Sequence, residues 1–206
     1  ERVLTPISMQ EIPTGHFVYD RGQNMVGTVR LHLKGERGLS IKLRYGEMIY
    51  ANGEIYIKNI RSAANTDTYT FSGDENGETF VPSFTSHGFR YVEITGNGCE
   101  LSDISCVTSL EGLVLCNTPD TTGSFECSDP LVNQLQSNIQ WGQRGNSLLV
   151  YTDCPQRNER MGWTGDAQVF APTAAFNMDV QSFMNKWLLD VRDGQLMYNR
   201  QGAVPD

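Results

Sequence analysis

At 206 residues the chain is long enough for one large domain or two small ones, and 39% apolar with 19% charged residues excludes a disordered chain. The net charge of −8, with no Lys/Arg block, argues against nucleic acid as a partner, because phosphates would be repelled while a neutral sugar would not. No apolar run approaches the ~18 residues of a membrane span, and the N-terminal Glu1-Arg-Val-Leu-Thr-Pro6 has no signal-peptide apolar region.

Residues 1–111 read as turn-rich β structure, and the twenty glycines suit that texture. Val29, Leu31 and Leu33 alternate before a turn at Gly35–Gly38. Leu39, Ile41, Leu43 and Tyr45 then face one way and Ser40, Lys42 and Arg44 the other, the period of a half-buried strand. Thr66–Phe71 is rich in Thr and aromatics. In Phe89–Ile94, Phe89, Tyr91 and Glu93 alternate with Arg90, Val92 and Ile94. Turn signals at Asn52-Gly53, Gly73-Asp74, Asn76-Gly77 and Gly96-Asn97-Gly98 separate these runs, which predicts an antiparallel β-sandwich.

Near residue 112 the period changes. Residues 112–124 read as a linker and 125–206 as helical. Ser128-Asp129-Pro130 marks a helix start, Leu131, Leu135 and Ile139 repeat every four residues, and Gly145 is a plausible stop. Ala167–Phe176 reads as a helix shortened or kinked by Pro172. Asp179 caps a further helix with the stripe Val180, Phe183, Met184, Trp187, Leu188 and Val191, ending at Gly194. Stripes this apolar need partners, so this part reads as a piece of a larger helical domain.

Five cysteines (Cys99, Cys106, Cys116, Cys127, Cys154), three histidines and no C-x-x-C argue against a zinc site. The thiols read as mostly buried ones in a reducing compartment, and a Cys99–Cys106 bridge stays open. No metal or cofactor is expected; Asn65-Thr-Asp67 lacks the ligand density of a calcium site. Trp187, Phe183 and Trp141 read as core, and His87 as a turn or packing residue.

The segment that carries chemistry is Tyr151-Thr-Asp-Cys-Pro-Gln-Arg-Asn-Glu-Arg-Met-Gly-Trp-Thr-Gly-Asp166. It holds three acids, two arginines and a Trp, with Pro155, Gly162 and Gly165 interrupting regular structure between two helices. Sugar hydrolysis needs a carboxyl that protonates the glycosidic oxygen, polar groups for the ring hydroxyls and an apolar wall. Asp153, Glu159 and Asp166 with Arg157, Arg160 and Trp163 supply those types. The same residues would also serve in a salt-bridged connecting loop.

The run Asp153-Cys-Pro-Gln-Arg-Asn-Glu-Arg-Met-Gly-Trp-Thr-Gly-Asp-Ala-Gln168 resembles the signature of the bacterial α-L-rhamnosidases of glycoside hydrolase family 78. Tyr19-Asp-Arg-Gly-Gln-Asn-Met-Val-Gly27, Arg61-Ser-Ala-Ala-Asn-Thr-Asp-Thr-Tyr69 and Phe84-Thr-Ser-His-Gly-Phe-Arg-Tyr-Val-Glu93 resemble motifs of that family's concanavalin-like sandwich, in the family's order. The resemblance implies a multidomain fold in which the β-sandwich leads into an (α/α)6 barrel, incomplete in residues 125–206. It implies an inverting glycosidase with Glu159 as general acid. Asp153, Arg157 and Asp166 would lie on the rhamnose hydroxyls, and Trp163 would form an apolar wall for the 6-deoxy methyl. The general base would lie beyond residue 206. Asn158 stands where the family motif also carries Asp, which would alter the charge beside Glu159. Glu159 must keep its proton near neutral pH between Arg157 and Arg160, and Asp153 or Asp166 is expected to offset them.

Three readings follow. The chain is part of an enzyme acting on rhamnose-containing glycosides or polysaccharides, itself inactive and prone to self-association through its incomplete barrel. Alternatively it is a carbohydrate-binding β-sandwich module without catalysis, or a folding unit whose helix stripes dock elsewhere. A bacterial cytoplasmic or periplasmic setting fits each.

Overall fold

The computed structural model describes residues 2–98, 101–117, 121–198 and 203–204. Cys99, one half of the candidate bridge to Cys106, lies outside the described residues, as does Asp206. The chain divides into two compact units. One is Glu1–Leu115 with Gln156–Asn158; the other is Cys116–Pro155 with Glu159–Asp206.

The first unit is built from β1 (Arg2–Leu4), β2 (Ser8–Glu11), β3 (Phe17–Leu33), β4 (Ser40–Gly46), β5 (Met48–Ile49), β6 (Ile55–Tyr56), β7 (Thr66–Thr70), β8 (Glu78–Phe80), β9 (His87–Gly96) and β10 (Val107–Val114). Eight of them make one antiparallel sheet in the order β1-β10-β3-β9-β4-β7, with β2 and β8 also paired to β3, while β5 and β6 form a separate hairpin. The long β3 organises the sheet. Its first residues pair with β2 and β9, and its last with β10 and β8. Between Asp20 and Met25 its register against β9 shifts. Such an irregularity bends a strand, so β3 serves both ends of a curled, sandwich-like sheet. β10 continues to Val114, into the stretch read as a linker.

The period-two strands bury the faces expected of them. Val29, Leu31, Leu33, Ile41, Leu43 and Tyr45 are all at most 1% exposed, and burial of each such side chain contributes about 1.5–3 kcal/mol. The alternation expected over Phe89–Ile94 does not hold. Phe89, Val92 and Ile94 are all fully buried, because the register shift lies between them, and Glu93 is buried on the other face beside His16 and Arg44. His87 is a packed residue. Its ring stacks on Tyr45, its Nδ1 lies 2.6 Å from Asn65 Oδ1 and its Nε2 3.0 Å from Asp67 Oδ2. Gln156–Asn158 also belong to this unit. Gln156 lies so close to Gly88 that a Cβ there would come within 2.5 Å of the Gln156 Cβ, and Asn158 Nδ2 donates to Ser62 Oγ at 2.6 Å.

The second unit contains α1 (Pro130–Asn146), α2 (Thr164–Asn177) and α3 (Gln181–Tyr198). Asp129 caps α1, its carboxylate accepting from the Leu131 N–H at 2.8 Å, with Pro130 opening the helix. Asp179 accepts from the Gln181 N–H at 3.2 Å before α3. Gly194 does not end α3, which runs on to Tyr198; a mid-helix glycine costs only about 1 kcal/mol. α2 passes through Pro172 without ending. Val180, Phe183 and Trp187 are core, as read from the stripe, whereas Leu188 is 62% exposed. The α1 stripe is not core within these residues: Leu131 is 78% and Leu135 57% exposed. Trp141 is half-buried with the Arg144 guanidinium 5.6 Å from its ring centre.

Candidate active site

The loop after α1 is tied at its neck. Ser147 bridges to Tyr151 and Thr152 to Gly162, the Thr152 N–H donates to the Asn146 carbonyl at 3.1 Å, and the Trp163 N–H donates to the Tyr151 carbonyl at 3.1 Å. The nine residues between Thr152 and Gly162 thus leave and return at one point, a compact loop held by its base. Gly162 is required there. A Cβ at that position would lie 2.1 Å from the Trp187 indole, so glycine lets the neck rest on the core of α3. That core is Tyr151, Phe183 and Trp187, with the Tyr151 and Phe183 rings edge to face at 4.7 Å.

Trp163 is extended and precedes α2 as its cap residue, and Gly165 and Asp166 belong to the first turn of that helix. Gly165 therefore does not interrupt regular structure as the sequence suggested. Asp166 is the acidic residue of that first turn, beside the partial positive charge of the helix N-terminus.

A cavity of about 730 Å³ opens between the end of α1, the loop neck and the start of α2. That is the size of a small-ligand site. Asp153 and Asp166, thirteen positions apart in the chain, both line it, and both are exposed. Tyr151, Asn146 and Ser147 supply further polar wall, and Val169 and Phe170 apolar wall. The Cys154 thiol donates to Asp153 Oδ2 at 3.0 Å. Glu159, Arg157 and Trp163 are half-buried and are not among the residues lining this cavity. Arg157 belongs to the first unit, with Gln156 and Asn158. The Trp163 indole Nε1 is buried without a hydrogen-bond partner among the described residues. Arg160 is exposed as a residue, yet desolvation of its guanidinium lowers its pKa from the ordinary value.

Sequence reasoning found the two carboxylates but not Gln143, Asn146 and Ser147. Polar residues at a helix end carry no signal of their own, and only the return of the loop neck to α1 brings them beside Asp153.

Two family models match the chain. The bacterial alpha-L-rhamnosidase concanavalin-like domain covers residues 10–115, and the bacterial alpha-L-rhamnosidase 6 hairpin glycosidase domain covers residues 120–206. An alpha-L-rhamnosidase of Streptomyces avermitilis is 52% identical over 192 residues, covering 93% of this chain and 18% of that protein. One of Formosa agariphila is 45% identical over 192 residues, covering 92% of this chain and 20% of that protein. The crystal structure of the Streptomyces avermitilis alpha-L-rhamnosidase complexed with L-rhamnose matches with a TM-score of 0.90 at 49% identity, over 100% of this chain and 19% of that one. The alpha-L-rhamnosidase structure from Dictyoglumus thermophilum matches with a TM-score of 0.90 at 39% identity, over 100% of this chain and 22% of that one. The chain thus spans about a fifth of the length of these relatives.

Proposed function

Because the chain belongs to the bacterial α-L-rhamnosidases of glycoside hydrolase family 78, we propose that its parent protein releases terminal α-L-rhamnose from rhamnosides with inversion. In this reading the concanavalin-like sandwich, expected over residues 1–111, extends through the end of β10 at Val114, a shorter linker follows, and 125–206 are the first part of an (α/α)6 barrel completed elsewhere in the protein. The observation that carries the reading is the meeting of Asp153 and Asp166 at one cavity, within the motif that also holds Glu159.

In this mechanism Glu159 donates its proton to the glycosidic oxygen as the bond to the anomeric carbon breaks. A carboxylate from outside these residues removes a proton from water attacking the opposite face. The two carboxyls of such a pair lie about 6.5–9.5 Å apart, leaving room for the water. Asp153, Arg157 and Asp166 hold the ring hydroxyls. Trp163 presents an apolar wall to the 6-methyl group, which separates rhamnose from hexoses that carry a hydroxyl there.

The test is the full-length protein against a panel of p-nitrophenyl glycosides, beside its Glu159→Gln variant. The α-L-rhamnoside is the expected substrate, its first-formed sugar the β-anomer by NMR. Loss of the proton donor lowers kcat by about 10²–10⁴-fold. The loss is greater for an alkyl than for a nitrophenyl leaving group, which departs without a proton. Turnover retained in Glu159→Gln on both leaving groups overturns the assignment.

A further inference from the structure

Arg157 lies at the centre of a three-residue run, Gln156–Asn158, that belongs to the β unit although the rest of its loop does not. Two contacts fasten this run, one on each side of Arg157. On one side Gln156 lies against Gly88 of β9. A Cβ at Gly88 would meet the Gln156 Cβ at 2.5 Å, its Cα at 3.0 Å and its N at 3.3 Å, and these are its three nearest atoms. The φ of Gly88 is not positive, so glycine is needed there for the close approach and not for its backbone freedom. On the other side Asn158 Nδ2 donates to Ser62 Oγ at 2.6 Å.

Both anchors are fixed by the unit they come from. Gly88 pairs with Val26 of β3, and its neighbour His87 is locked by the Tyr45 ring, Asn65 and Asp67. Ser62 is the third residue of a turn that the Ala63 N–H closes by donating to the carbonyl of the buried Ile60 at 3.1 Å. Arg61, the second residue, has φ 56° and ψ −120°, the conformation of a type II′ turn, where glycine is the usual residue. Backbone strain of this kind persists only where the surroundings enforce it, and it clusters at segments that hold functional groups. An arginine with both neighbours pinned is preorganised, so less freedom is lost when its planar fork meets a ligand.

We propose that Ser62 and Gly88 are positioning residues for Arg157, holding the chain on either side of it so that its guanidinium meets the sugar hydroxyls from a fixed backbone. The proposal rests on Arg157 being a sugar-binding residue. It gives the sandwich a part in substrate recognition in which neither Ser62 nor Gly88 touches the sugar.

The test uses the full-length protein. Ser62→Ala deletes the acceptor of one hydrogen bond, and Gly88→Ala drives a methyl group into Gln156. Each is expected to lower kcat/KM for p-nitrophenyl α-L-rhamnoside, about fivefold for Ser62→Ala and at least about tenfold for Gly88→Ala. The inhibition constant of L-rhamnose should rise in step. Ser62→Thr keeps the hydroxyl and should restore the wild-type values. In an Arg157→Ala background both losses should disappear, because residues that act through a shared partner are not additive.

Losses of the same size with and without Arg157 overturn the proposal, as do wild-type kinetics in both variants. Gly88→Ala also loads the sheet, so Ser62→Ala decides where the two disagree. If the wild-type protein turns over no rhamnoside, the proposed activity fails by itself, and hydrogen exchange then decides the anchor. Faster exchange confined to the backbone around Arg157 in both variants upholds it, and unchanged exchange there overturns it.

Discussion

Arg21 occupies a place in β3 that the surrounding pattern fills with apolar side chains. Phe17, Val18 and Tyr19 are buried just before it, and Arg21 itself is 2% exposed. Its Nε and both Nη atoms have no hydrogen-bond partner among the described residues. The guanidinium lies against Gly112 of β10, where a Cβ would come within 2.3 Å of Nη2. Burial lowers its pKa to about 10, and the charge of Glu111 only partly opposes that. A buried charge without hydrogen bonds costs stability, and its replacement by an apolar side chain of similar length recovers it; replacing even paired buried charges by apolar residues stabilises by up to about 1–4 kcal/mol. Arg21→Met is therefore expected to raise the Tm of the β unit by at least about 2 °C. A lower Tm in calorimetry, with the fold intact by circular dichroism, would mean that the guanidinium has a partner elsewhere in the full-length protein.

Among the elements, the link between β7 and β8 depends on one carboxylate. Glu78 of β8 accepts from the Tyr69 hydroxyl of β7, from the Ser72 N–H at 2.9 Å and from the Gly73 N–H at 3.0 Å. Tyr69 also packs on Phe71 and Phe80. The Tyr69 hydrogen bond first, then that from the Ser72 N–H, lowers the Glu78 pKa from 4.5 to about 2; desolvation opposes them, and Gly73 adds a lesser lowering. A carboxyl with a depressed folded pKa contributes stability that is fully present above its unfolded pKa and is lost as pH falls through the folded value. Hydrogen exchange of the Ser72 and Gly73 amides should therefore be slow above about pH 4.5, and protection should fall as pH drops toward 2. In Glu78→Gln the protection should be low and flat with pH; equal protection in both proteins rules the link out. This link was not legible in the sequence, since Gly73-Asp74 and Asn76-Gly77 marked turns without saying what they wrap around. Ile41, Leu43 and Tyr45 were legible because burial on one sheet face imposes a period of two. The span of β3 was not, because Arg21–Asn24 interrupt that period at the register shift. The site loop stood out through its density of Asp, Glu, Arg and Trp. The cavity beside it did not, because Gln143 and Ser147 join it only when the loop neck closes on α1.

For the whole molecule, the helical unit leaves its most apolar surfaces uncovered. α2 mixes apolar and polar residues around its circumference, and Val169 and Phe176 on it are more than 80% exposed. Large apolar side chains of a helix are ordinarily turned toward a core. Leu131 and Leu135 on α1, and Leu196 and Met197 on α3, add further exposed apolar area. Exposed patches of this kind drive association. In the proposed parent protein the remaining barrel helices cover them, and the same helices bring the carboxylate that activates water. One cause thus predicts two properties of the 206-residue chain prepared alone: self-association and no useful rhamnosidase turnover. Sedimentation velocity is expected to show species larger than 23.0 kDa that grow with concentration. Substituting Glu for Leu131, Leu135 and Phe176 together should shift the distribution toward monomer without restoring activity, because charge covers an apolar face but supplies no base. A chain that stays monomeric at every concentration would show that these faces are not docking surfaces. Turnover of p-nitrophenyl α-L-rhamnoside by the isolated chain, abolished by Glu159→Gln, would place the base within these residues and remove the need for a barrel partner in the chemistry.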